Sequence, residues 1–80
     1  MLTKDDQDEI LNSLGCRIKK IRLQKGKTQM QLSIDCDMEK SSVSKIESGQ
    51  VNVTYLTLWR LSRCLEVSMQ ELMGGVKYKH

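Results

Sequence analysis

The chain reads as an all-α domain of five helices, and three observations carry that reading. Apolar residues recur at three- and four-residue steps, no segment shows the period-two alternation of a strand, and helix-starting and helix-stopping residues flank the periodic runs. Eighty residues suffice for one small hydrophobic core, so a single domain is expected. There is no proline and no internal repeat.

Leu11, Leu14, Ile18 and Ile21 place an amphipathic first helix from about Asp8 to Lys25, ended by Gly26, with Lys25 favouring the negative end of its dipole. Thr28, followed three residues later by Gln31, is a capping-box pattern that opens a second helix running to about Asp35. Cys36-Asp37-Met38 is then a turn. A third helix is expected from about Glu39 to Ser48, stopped by Gly49, with Gln50 to Val53 as a loop. Thr54 with Thr57 starts a fourth helix through about Glu66, with Tyr55, Leu58, Leu61, Ser62 and Leu65 as its inner stripe. Ser68 with Glu71 opens a short fifth helix through Leu72 and Met73. Gly74-Gly75 stops it, and Val76 to His80 reads as a frayed tail. The expected organisation is an acidic extension over 1–9, a folded domain over 10–73 and a flexible tail over 74–80.

The net charge of +3 hides a polarity. Asp5, Asp6, Asp8 and Glu9 crowd the amino-terminal end, whereas ten Lys or Arg face four acids between Ile10 and Leu65. A basic body suggests a polyanionic partner, although a solvated surface also accounts for charge alone. No apolar run is long enough to cross a bilayer, and the polar first residues are unlike a signal peptide, so a cytoplasmic protein with no membrane partner is expected. Cys16, Cys36 and Cys64 are odd in number and widely spaced. They read as small buried hydrophobes, with neither a disulfide frame nor a metal site expected. The single histidine is the terminal His80. With no internal histidine, phosphate-cradling glycine loop or catalytic cluster, no enzymatic activity and no cofactor are expected.

The third helix has two faces. Val43 and Ile46 point inward, with Met38 anchoring the turn, while Lys40, Ser41, Ser44 and Lys45 fall at i, i+1, i+4 and i+5 on one outward face. Lysine can donate to guanine O6 and N7, and serine can contact either base type, so that face suits a major groove. Glu39, at the start of the helix, suits the dipole, would repel a phosphate, and can accept from a cytosine amino group.

Arg17-Ile18-Lys19-Lys20-Ile21-Arg22, Lys25-Gly26-Lys27-Thr28-Gln29, Val43-Ser44-Lys45-Ile46-Glu47-Ser48-Gly49, Leu58 through Leu65, Val67-Ser68 and Glu71-Leu72 follow one another along the chain. This series resembles the Cro/CI (Xre-type) helix-turn-helix family, and Asn52 to Leu58 looks especially like the controller proteins of restriction–modification systems. The resemblance implies a compact lambda repressor-like bundle whose second and third helices form the helix-turn-helix. It implies base-reading positions at Lys40, Ser41 and Lys45, with Ser44 beside them, and a phosphate contact by Gln29 at the amino-terminal end of the second helix. Asn52 is a second phosphate donor or a turn-forming residue, and Lys27 assists electrostatically, at a position where the family more often has an apolar residue. Arg22 and Glu47 occupy the positions of a structural ion pair.

Two departures stand out: Asp37 at the turn position usually held by glycine, and Ser33 where the second helix usually has alanine. The implied activity is sequence-specific binding to double-stranded DNA as a transcription regulator. A homodimer seam is expected among Leu56, Trp59, Met69, Leu72 and Met73. The alternative is a protein-interaction module, such as an antitoxin-like chain that binds a protein partner.

Overall fold

The computed structural model describes residues 1–76 and contains five α-helices. They are α1 (Lys4–Gln24), α2 (Gln29–Asp35), α3 (Lys40–Glu47), α4 (Tyr55–Cys64) and α5 (Met69–Met73), and no strand occurs among the described residues. Four of these helices start on a hydroxyl: Thr3, Thr28, Thr54 and Ser68 each accept from the N–H three residues on. At α2 the cap is reciprocal, since the Gln31 side chain accepts from the Thr28 N–H at 2.8 Å.

The start of α1 departs from the sequence reading. Thr3 and Asp6 form a second capping box, so the acidic stretch is the opening of the helix and not an extension ahead of it. Asp5 and Asp6 lie in its first turn, where carboxylates meet the positive end of the helix dipole.

Helices α1 to α4 end alike. The N–H groups of Lys27, Met38, Gln50 and Val67 return to the carbonyls of Arg22, Ser33, Lys45 and Ser62, at 2.8 to 3.1 Å. Each return needs the preceding residue in the left-handed region, and Gly26, Asp37, Gly49 and Glu66 hold it with φ of 71°, 53°, 74° and 58°. Two of these four are not glycine. Glu66→Gly is therefore expected to stabilise the fold by about 0.5–1 kcal/mol, and Asp37→Gly by less, because aspartate tolerates this region better. A rise in the urea midpoint at unchanged slope is the check.

The core takes Leu14, Ile18 and Ile21 from α1, Leu32 from α2, Val43 and Ile46 from α3, Leu58 and Leu61 from α4, and Leu72 from α5. Ser33 and Ser62, each 2% exposed, return their hydroxyls to the carbonyls three residues back at 2.6 Å. Tyr55 does not belong to the inner stripe: it is 69% exposed, and cover at this end of α4 comes from Val51 and Val53 of the preceding loop. Nor is Val76 a frayed end, since it is 7% exposed and packs into the core. Residues 77–80, His80 included, lie outside the described residues.

The cysteines also depart from expectation. Cys16 is exposed and free, whereas Cys36 and Cys64 are joined as a disulfide with their Cα atoms 5.8 Å apart. Spacing along the chain could not show this, because the fold brings the C-cap of α2 beside the last residue of α4. No helix among the described residues is long and apolar enough to cross a membrane.

Candidate nucleic-acid interface

Helix α3 packs on α1 and α2 through Val43 and Ile46, which are 1% and 5% exposed. The closest approach is at Gly15. A Cβ there would fall inside van der Waals contact of the carbonyl groups of Ile46 and Glu47, so the glycine lets the last turn of α3 lie directly on α1. Gly49 fits as tightly, because a Cβ added to it would strike Asn12 of α1.

A charged node fixes the same end of α3. Arg22 donates from Nε to Glu47 Oε2 at 2.7 Å and from Nη2 to Oε1 at 3.0 Å, and from Nη1 to the Lys27 carbonyl at 2.7 Å. The two side chains are 6% and 3% exposed, which makes this a buried pair and not a surface contact. Glu47 Oε1 also accepts from Gln29 Nε2 at 3.0 Å. The pair therefore holds α1, the amino-terminal end of α2 and the end of α3 in one network. It also holds the Gln29 amide, and since that NH₂ carries two donors, Glu47 takes one of them.

With its aliphatic side clamped, α3 leaves Lys40, Ser41, Ser44 and Lys45 exposed together. The Ser41 hydroxyl donates to Glu39 Oε2 at 3.4 Å, and the Glu39 side chain caps no backbone N–H of α3. Beside α3 runs a groove of about 340 Å³ lined by Lys45 and the exposed Asn52 together with Ser42, Thr54 and Thr57. The sequence marks Thr57 only as part of a helix start and does not mark Ser42. The signal for Ser42 was its place three residues before Lys45; Thr57 joins the groove only through the fold.

Lys27 has a different task from the one expected. Its Nζ donates to Asp35 Oδ2 at 2.8 Å and to the Cys64 carbonyl at 3.0 Å, so it brackets α2 to the end of α4. The face of α4 that carries Tyr55, Leu56 and Trp59 is open to solvent, at 69%, 74% and 50% exposure, with the Arg63 guanidinium 5.6 Å from the Trp59 ring centroid. Met69 and Met73 are half-buried against the core. Leu72 departs from the expected seam: it is 0% exposed, because α5 is so short that one turn gives its only fully inward side chain to the chain's own core.

Residues 18–72 match the helix-turn-helix family HTH_3. The chain belongs to this helix-turn-helix family. It is 32% identical over 60 residues to the control protein C.BamHI of Bacillus amyloliquefaciens, covering 74% of each chain. Among solved structures it resembles the restriction–modification controller protein C.AhdI of Aeromonas hydrophila, with a TM-score of 0.75 and 31% identity over 78% of this chain and 94% of that one. It also resembles the wild-type controller protein C.Esp1396I, with a TM-score of 0.70 and 37% identity over 74% of this chain and 77% of that one. The fold is that of DNA-binding transcription regulators, and α2 and α3 are its helix-turn-helix.

Proposed function

We propose that the protein is a cytoplasmic, sequence-specific regulator of transcription in the manner of a restriction–modification controller. It binds double-stranded DNA as a homodimer and places α3 of each subunit in the major groove of a (pseudo)palindromic operator. One observation carries this reading. The recognition helix is anchored by Val43, Ile46 and Glu47, while Lys40, Ser41, Ser44 and Lys45 are exposed together on its other side. Lys40 and Lys45 supply donors for guanine edges or phosphates, and the serines adapt to either base type.

Gln29, at the start of α2, and Asn52, lining the groove with Lys45, are the backbone-contacting residues in this reading. Glu39 selects a cytosine, because an exposed carboxylate at the start of α3 accepts from the N4 amino group and repels a phosphate. The exposed α4 face supplies the subunit contact through Leu56 and Trp59, with Met69 and Met73 at its edge. Half-sites then lie one helical turn apart, about 34 Å. The protein acts by binding, with no catalytic step of its own.

Selection of bound duplexes from a random DNA pool tests the proposal and should return a twofold-symmetric site. Lys45→Ala is expected to weaken binding to that site by about 1–3 kcal/mol and to relax base choice at one position per half-site. Equal affinity of the unaltered protein for the selected site and for random duplex, at physiological salt, refutes the proposal.

A further inference from the structure

The pairing of Cys36 with Cys64 belongs neither to the interface nor to the core as an ordinary apolar contact. Cys36 is the C-cap of α2, immediately before the left-handed Asp37 that makes the turn of the helix-turn-helix, and it is 2% exposed. Cys64 is the last residue of α4 and is half-buried. Closing this pair draws a covalent ring across a sequence separation of 28, and the whole of α3 lies inside it. Lys27 crosses the same junction, donating to Asp35 and to the Cys64 carbonyl, so a second, non-covalent link ties the end of α2 to the end of α4 beside the sulfurs.

We propose that Cys36 and Cys64 form a reversible thiol–disulfide staple that sets how firmly the helix-turn-helix is held together. The inference rests on the DNA-binding reading in one respect. A protein that works where the DNA is meets a thiol-rich compartment, in which a disulfide is more often opened and closed than permanent. The reaction partner is a low-molecular-weight disulfide such as glutathione disulfide. The half-buried Cys64, as thiolate, attacks one sulfur of that disulfide and releases one thiol. Cys36 then attacks the mixed disulfide at Cys64 and releases the second thiol. The protein loses two electrons and two protons as one S–S bond forms, and the glutathione disulfide is reduced to two thiols. Excess reduced glutathione runs the exchange backwards. Once closed, the ring limits the unfolded chain far more than the folded one, which raises the melting temperature.

The test uses the full chain carrying Cys16→Ser, which removes the exposed free thiol outside the pair. After equilibration with glutathione disulfide, alkylation and peptide mapping should find residues 36 and 64 linked, and a large excess of reduced glutathione should free both. The linked form should melt on the order of 10 °C above the open form. Addition of Cys64→Ala should give a protein that melts alike in both buffers. At a temperature between the two melting points, the linked form should bind the most enriched random-pool duplex at least tenfold more tightly than the open form. A pair that stays open in glutathione disulfide, stays closed in excess reduced glutathione, or closes without moving the melting temperature overturns the staple. A pair that opens and closes as described in a protein that enriches no duplex supports the staple and removes the DNA-binding reading instead.

Discussion

Glu47→Ala is expected to cost about 3–5 kcal/mol of folding stability, and so to lower the melting temperature by on the order of 20 °C. The loss goes beyond one contact. With the carboxylate gone, the Arg22 guanidinium, whose side chain is 6% exposed, keeps only the Lys27 carbonyl, while Nε and Nη2 stay buried with nothing to accept from them. Gln29 loses the acceptor that orients its amide. A surface ion pair would contribute ~0–1 kcal/mol, so the size of the effect separates the two cases. The double replacement Arg22→Met with Glu47→Leu should recover most of the loss, because it removes both charges from the interior. Calorimetry of wild type, the single variant and the double variant is the measurement. A Glu47→Ala midpoint within error of wild type contradicts the buried node.

Gly15→Ala should also destabilise, by about 1–3 kcal/mol, and here the sign is the test. In a free-standing helix this substitution would add roughly 1 kcal/mol of stability, since alanine favours the helix and glycine does not. In this fold the new methyl meets the backbone carbonyls of Ile46 and Glu47, which cannot swing aside as a flexible side chain would. The last turn of α3 must move off α1, which loosens the Ile46 packing and the Arg22–Glu47 geometry together. A higher urea midpoint in the variant would mean that α3 does not lie as close to α1 as the structure places it.

Much of this fold can be read from local chemistry. The Thr28–Gln31 and Ser68–Glu71 pairs mark the starts of α2 and α5, and Gly26 and Gly49 mark ends, because caps and left-handed turns depend on a few neighbouring residues. The outward set on α3 follows from helical geometry alone. What stayed hidden depends on contacts distant in sequence or on permissive residue types. The Thr3–Asp6 box was masked by acidity that resembled a solvated tail. Glu66 takes a left-handed turn with no residue type to announce it. Gly15 looks like a weak spot in a helix until α3 is laid across it, and Cys36 meets Cys64 only through the fold, which brings together the ends of α2 and α4. The assignment of Leu72 to a subunit contact went astray for the same reason: a five-residue helix shows no clear inner and outer side in its sequence.

The bracket formed by Lys27 bears on how affinity should vary with ionic strength. Binding to duplex DNA weakens with added salt in proportion to the number of phosphates neutralised, by about 0.9 logarithmic units per phosphate for each tenfold rise in salt. A lysine whose ammonium sits between Asp35 and the Cys64 carbonyl displaces no counterion from the duplex. Of the cations in the basic body, this one should leave the salt gradient unchanged when replaced by methionine, whereas loss of Lys40 or Lys45 should flatten it.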